Sequence, residues 1–309
     1  MMNICFFGVG GVGGYFGALI ANKFRHQHEI YFVARGKHKD AICLNGLLLK
    51  KAGGEAVVTA IPKLCTDKVE EIPICDIVFL SVKSYDLPDA ITALAKITNE
   101  KTVILPLLNG VDIYDRIRSV LKTGIVLPSC VYIGTHVESP GVVYQKGGSC
   151  SIALGKDPAY DLFYPDALLT LLTDAEIDHT WEVPIEIPIW SKFMFIAAYG
   201  LVTANYGKTL GEVLEDPDLA RLTKSIMYEI EAIAKGLHIA LPSNIVEEAF
   251  VKAKEFPFQT KTSLQRDIEQ KGRVNEADLF GGTLIRYGSI LKIPTPNTRA
   301  IYEKILTKF

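Results

Sequence analysis

Residues 3–14 read NICFFGVGGVGG, an apolar run that breaks into a cluster of glycines. Gly8-Val9-Gly10-Gly11-Val12-Gly13 fits the pattern G-x-G-x-x-G. Residues 3–8 have the character of a short strand, and residues 11–24 have helical spacing with many small side chains. The glycines therefore stand at a strand-to-helix turn, which is the context the pattern needs to signal dinucleotide binding. In that setting the first glycine makes the turn and the second lets the backbone approach a pyrophosphate. The third allows strand and helix to pack closely, and the helix turns its positive dipole end to the ligand.

The same stretch admits a misreading. Residues 4–21 carry no charge over 18 positions, about the length of a membrane span. Glycines at 8, 10, 11, 13, 14 and 17 break it into two short elements, and only Met1-Met2-Asn3 precedes it, with no basic segment. The chain is expected to be cytoplasmic, without a membrane anchor. At 309 residues it has room for two domains of about 100–200 residues each. A hydrophobic content of 49% with 22% charged residues excludes a disordered chain. A net charge of −2 lacks the basic excess of a nucleic-acid binder. Six cysteines, at 5, 43, 65, 75, 130 and 150, form no Cys-x-x-Cys pair and read as core thiols in a reducing compartment. His26 and His28 are the closest histidine pair, and with no third ligand near them they read as a solvated loop and not as a metal site.

Working outward, residues 29–34, 75–82 (CDIVFLSV) and 102–108 (TVILPLL) are apolar, as strands covered on both faces are. Helical patterns at 87–97 and 112–121 alternate with them, the arrangement of a mostly parallel sheet with crossover helices. Residues 129–154 are richer in β-branched side chains and glycine turns, and are expected to add antiparallel hairpin strands at the far end of that sheet. From about Trp181 the character changes. Helical patterns at 188–206, 216–236, 243–255, 276–292 and 297–309, with prolines at their boundaries, predict an all-α second domain. The expected division is 1–182 and 183–309. Gly281-Gly282 reads as a point of close helix packing.

The end of the second strand chooses the cofactor. An enzyme using NAD places a carboxylate there for the ribose hydroxyl, whereas an arginine accommodates the 2′-phosphate of NADP. Here the strand runs into Ala34-Arg35-Gly36-Lys37, then His38 and Lys39, with no carboxylate before Asp40. This basic turn points to NADP(H), with Arg35 as the phosphate contact. Lys83 and Asn109 follow the apolar runs at 75–82 and 102–108, just past strand carboxyl ends, where ligands bind in open parallel sheets.

In the second domain Lys192 stands out. It is the only charge between Glu186 and Lys208, in IPIWSKFMFIAAYGLVTANYG, a helix apolar on nearly every side. Burial lowers an ammonium's pKa towards the working pH, as a general acid requires. A further polar cluster spans Thr262-Ser263-Leu264-Gln265-Arg266-Asp267 and Gly272-Arg273-Val274-Asn275-Glu276. Asn275 and Glu276 also suit plain helix capping.

The glycine loop, Ser81-Val82-Lys83, Leu108-Asn109-Gly110, Trp190-Ser191-Lys192, Ser263…Arg266-Asp267, Gly272-Arg273, Asn275-Glu276 and Thr295-Pro296 occur in an order that resembles the ketopantoate reductase family, over nearly the whole chain. The resemblance implies an N-terminal Rossmann domain and a helical domain of the 6-phosphogluconate dehydrogenase C-terminal type, with the active site in the cleft between them. It implies NADPH-dependent reduction of 2-dehydropantoate to (R)-pantoate, on the route to pantothenate and coenzyme A. By the same resemblance Lys192 is the general acid and also meets the substrate. Asn109 contacts cofactor and substrate, Lys83 lies by the cofactor, Ser263 binds the substrate and Glu276 supports the cofactor end. The chain departs from the family pattern at Ile196, Gly200 and Leu210, where the family carries asparagines, and has one residue more than usual between Asp267 and Glu276. The alternatives are a reductase of another 2-oxo acid, or a non-catalytic NADPH sensor, which would have no need of Lys192. The apolar helices leave room for a homodimer interface.

Overall fold

The uncharged stretch at residues 4–21 folds as a strand, a turn and a helix. The structure, a computed structural model, describes residues 1–52, 56–270 and 274–308, with only the backbone described at 56 and 57. The Gly272-Arg273 element lies outside the described residues. The chain divides into two compact units, one of Met1–Asn109 with Ile113–Ile185, the other of Gly110–Asp112 with Glu186–Phe309.

The first unit runs β1 (Asn3–Phe7), α1 (Gly11–Lys23), β2 (Glu29–Val33), α2 (Gly36–Asn45), β3 (Leu47–Lys51), β4 (Ala56–Ala60), β5 (Leu64–Thr66) and β6 (Ile77–Leu80). It continues with α3 (Leu87–Leu94), β7 (Val103–Pro106), α4 (Ile113–Val120), β8 (Ile125–Val126), β9 (Ser129–Tyr132), β10 (Thr135–Ser139), β11 (Val142–Gln145), β12 (Ser151–Leu154), α5 (Asp166–Asp174) and β13 (His179–Trp181). Six strands form one sheet in the order β5-β2-β1-β6-β7-β8, every neighbouring pair parallel. Chain direction across the sheet reverses between β1 and β6, the place where a doubly wound sheet opens a crevice at its strand ends. Phe6 stacks on Phe79 at 4.5 Å and meets Phe32 edge-on at 5.9 Å, so three central strands share one aromatic core.

The segment 129–154 departs from expectation. Its strands do not extend the parallel sheet but build two others. A four-stranded sheet has the order β10-β11-β3-β4, and a three-stranded sheet the order β13-β12-β9. The cause lies in α1, which is apolar all round and so needs a wall on each side. A Cβ on Gly17 would press the rings of Phe6 and Phe32 at 3.2 Å, and one on Gly14 would meet Val143 at 2.6 Å. Small residues on two faces thus let the parallel sheet and the β11 side both close on the helix.

The second unit is helical. It comprises α6 (Glu186–Tyr206), α7 (Leu210–Glu215), α8 (Pro217–Gly236), α9 (Ile245–Val251), α10 (Ser263–Glu269), a π turn at Asp278–Gly282, α11 (Thr283–Leu291) and α12 (Pro296–Leu306). α6 is long and apolar enough to cross a membrane by composition, yet 61% of its most apolar window is buried inside the protein. Its Phe193, Met194, Ala197, Ala198, Tyr199, Leu201 and Val202 are each at most 1% exposed. Burying such side chains is worth roughly 1.5–3 kcal/mol each for the larger ones, so α6 is the core about which this unit packs. Glu229 of α8, itself buried, accepts hydrogen bonds from the backbone N–H and side-chain amide of Asn297 (both 2.8 Å). The other carboxylate oxygen accepts from the backbone N–H and hydroxyl of Thr298 (2.9 and 2.6 Å), which closes the first turn of α12. A Cβ on Gly281 would meet the Tyr302 ring at 2.8 Å, so Gly281 is a close helix contact, whereas Gly282 faces the Asp278 and Arg286 side chains of its own helical segment.

Candidate active site

Gly8 follows β1 at φ +97°, a conformation that favours glycine. Its N–H and that of Val9 both donate to the Val33 carbonyl at 3.1 Å. A Cβ on Gly8 would press the Ser81 backbone at 2.9 Å, and one on Gly13 would collide with the Ser81 hydroxyl and the Gly8 carbonyl. The Ser81 hydroxyl donates to the Gly8 carbonyl at 2.8 Å, locking the turn to the end of β6. Gly10 differs, since nothing lies within 4 Å of where its Cβ would be. It precedes α1 with no side-chain cap and no acid in the first turn. The helix N–H groups and positive dipole end are thus left for a ligand, and the open side at Gly10 gives a phosphate room to approach. The turn fits a dinucleotide.

The basic turn after β2 sorts into different roles. Arg35 precedes α2 with its side chain 64% exposed, its Nη1 3.5 Å from Asp86 Oδ1. Lys37 is exposed. Lys39 donates to Asp67 at 3.1 Å. His38 is not part of a cationic cluster: burial lowers its pKa, and its Nδ1 accepts the Gly141 N–H at 3.0 Å. The strand end lacks a carboxylate in sequence, but folding brings Asp86 to it from 51 residues away (86 − 35).

Lys83 lies three residues beyond β6, half-buried, its carbonyl accepting the Asp86 N–H at 2.9 Å. Asn109 lies three residues beyond β7, also half-buried, followed by Gly110 at φ +128°. The parallel sheet therefore gathers the glycine turn, Lys83 and Asn109 at the carboxyl ends of adjacent strands.

In the second unit Lys192 sits near the start of α6. The helix is buried from Ala197 to Ala204, but Lys192 itself is only half-buried, as are Ile189, Ser191, Phe195 and Ile196. The expectation of an enclosed lysine is thus corrected. The buried face of α6 here is that of Trp190, Phe193 and Met194, and Lys192 points elsewhere. Ser263 is exposed in the first turn of α10, whose start is fixed to α6 by a hydrogen bond between the Thr262 and Thr203 hydroxyls (2.7 Å). Asn275 Oδ1 accepts the Ala277 N–H at 3.0 Å, which is capping chemistry, while Glu276 is 7% exposed. A Cβ on Gly200 would touch Leu264 of α10 at 3.8 Å and Phe280 of the π turn at 4.0 Å, so these elements converge on one side of α6.

Ser81, His38 and Asp86 carry parts that the motifs do not reveal, since each acts through a partner distant in sequence. His28 is likewise no free loop residue: its Nδ1 accepts the Met2 N–H at 3.2 Å and burial lowers its pKa. Among the described residues no group of histidines, cysteines and carboxylates is placed to hold a metal ion. The cysteines are free thiols, with Cys5, Cys65, Cys75 and Cys130 buried, Cys150 half-buried and Cys43 exposed.

Comparison with known proteins agrees with the architecture. The family model described as ketopantoate reductase PanE/ApbA matches residues 4–158, and that of its C-terminal domain matches residues 185–308. A 2-dehydropantoate 2-reductase from Mesorhizobium japonicum is 27% identical over 97% of this chain and 95% of its own. The crystal structure of a PanE/ApbA family ketopantoate reductase from Ralstonia eutropha gives a TM-score of 0.89 at 24% identity, over 99% of this chain and 98% of its own. A ternary structure of D-mandelate dehydrogenase with NADH and anilino(oxo)acetate gives 0.86 at 20% identity, over 99% and 98%.

Proposed function

The chain belongs to the ketopantoate reductase family, and from that premise we propose that it reduces a 2-oxo acid to the 2-hydroxy acid with NADPH. The reaction named for its relatives is that of 2-dehydropantoate, whose product (R)-pantoate leads to pantothenate and coenzyme A. The observation that carries the reading is the glycine turn, sterically closed at Gly8 and Gly13 and open at Gly10.

NADPH, when bound, supplies the hydride that reaches the keto carbon. The chain's residues do the rest. Backbone N–H groups at the start of α1 hold the pyrophosphate. Arg35, mostly exposed beside α2, meets the 2′-phosphate and makes NADPH the preferred cofactor over NADH. Lys83 and Asn109 orient the nicotinamide end, and Asn109 offers both a donor and an acceptor. Lys192 donates the proton that the forming alkoxide takes up, and Ser263 binds the substrate. Glu276, a buried carboxylate, supports the cofactor end.

A second reading of the substrate rests on α6. Ile196 and Gly200 offer no hydrogen bond to a substrate hydroxyl, which favours a 2-oxo acid other than 2-dehydropantoate. The test is NADPH oxidation by the purified protein over a panel of 2-oxo acids. Substrate-dependent oxidation with a chiral 2-hydroxy acid as product is expected. Tight NADPH binding with no turnover of any 2-oxo acid would instead support a sensor.

A further inference from the structure

In sequence the turn after β2 is basic, but folding sets carboxylates against it. Asp67, just past β5, lies 3.1 Å from Lys39. Asp86, in the turn after β6, lies 3.5 Å from Arg35, measured from Oδ1 to Nη1. Asp86 also occupies the N-cap of α3, where an aspartate ordinarily accepts N–H groups of the first turn. Its side chain makes no such bond. The second helical position is Pro88, which has no N–H, and the third is Asp89, whose charge repels another carboxylate. The backbone of Asp86 is nevertheless fixed, its N–H donating to the Lys83 carbonyl at 2.9 Å. The carboxylate is thus held towards the end of β2 without being spent on α3. At 3.5 Å the pair is looser than a charge-assisted hydrogen bond of about 2.7–2.9 Å, and a guanidinium has donors enough for a second anion.

We propose that Asp86 is a specificity-determining residue for the cofactor. It shares Arg35 with the 2′-phosphate and so holds the preference for NADPH over NADH below what Arg35 alone would give. The inference rests on the NADPH reading of the basic turn and adds the counter-charge within it. A phosphate monoester carries a charge of about −1.5 to −2 near neutral pH. Bound to the guanidinium that Asp86 already faces, it meets a like charge at close range. NADH presents a neutral ribose hydroxyl instead, which a carboxylate can accept. Asp86 therefore weighs against one cofactor and not against the other.

The test is fluorescence titration of the full chain with NADPH and with NADH. Asp86→Asn should tighten NADPH binding by about 3–10-fold and leave NADH within about twofold or slightly weaker. The gain should shrink in about 0.5 M NaCl, because the pair is open to water and screened. Asp86→Glu, which keeps the charge, should stay near the wild-type ratio. Asp89→Asn removes the same charge three residues on and should move the ratio less. A merely structural role for Asp86 would shift both cofactors alike, and that result overturns the inference. So does weaker or unchanged NADPH binding in Asp86→Asn, or Asp86→Glu moving the ratio as far as Asp86→Asn. Arg35→Ala keeps the two readings apart. If it weakens NADPH binding while Asp86→Asn brings no gain, only the inference fails. If it leaves NADPH binding unchanged, the NADPH reading of the turn fails and the inference with it.

Discussion

Arg35 and His38 stand three residues apart on one turn and behave oppositely, because one faces solvent and the other, in the first turn of α2, is packed against Gly141. Arg35→Asp places a carboxylate where the 2′-phosphate of NADPH is expected. Loss of a charged hydrogen bond costs about 1.5–3 kcal/mol, so NADPH should bind at least about tenfold more weakly while NADH changes little, as read by fluorescence titration. Equal use of NADH and NADPH by the wild type would remove the ground for this assignment. His38 and His28 are both held below the ordinary histidine pKa of 6.5 by burial, and each accepts a backbone N–H. The unfolded chain therefore takes up protons first as the pH falls. Stability from these two groups is fully present above about pH 6.5 and is lost as the pH drops towards their depressed folded values. Melting temperature should fall between pH 7.5 and 5.5, and His38→Asn, which keeps an acceptor without the titration, should flatten that slope.

Among the elements, α6 gives the sharpest stability prediction. Gly200 has no positive φ and a Cβ there would find ordinary contacts at 3.8–4.0 Å. Gly200→Ala should therefore stabilise the protein, by about 0.5–1 kcal/mol in urea denaturation, from helix propensity alone. A loss of stability would mean that the added methyl strains the packing of Leu264 and Phe280 against the helix. The elements most legible in sequence were those whose signal is local. β1, α1, β6 and β7 follow from apolar runs and the glycine turn, and α6 from its uninterrupted apolar content. The β3–β4 pair escaped notice because Leu47–Lys51 finds its other partner, β11, some 94 residues on (142 − 48), through tertiary pairing. α10 is only seven residues long and owes its place to Thr262 bonding Thr203. α7 is absent from the predicted helices, because the apolar pattern gives no weight to the capping box that Thr209 and Glu212 form at its start.

For the whole molecule, the candidate site residues were more legible than the surroundings that hold them. The glycine loop, Arg35, Lys83, Asn109 and Lys192 were all visible as residue types at revealing places. Ser81 behind Gly8, Asp86 beside Arg35 and Phe256 against Phe195 were not, because contacts over 51 to 73 residues leave no spacing to read. The half-exposure of Lys192 was hidden for a related reason. An apolar helix tells that it is buried, but not which short arc near its start is left open. The proposed mechanism turns on that lysine as proton donor. The measurement that tests it most directly is the turnover of Lys192→Ala on the best 2-oxo acid, alongside its NADPH dissociation constant. General acid catalysis is worth about 10²–10⁴-fold, so kcat should fall by that order, with NADPH affinity nearly unchanged and the pH–rate limb of the protonated acid gone. A variant that keeps more than about a tenth of wild-type turnover would contradict the assignment, and with it the mechanism proposed for this protein.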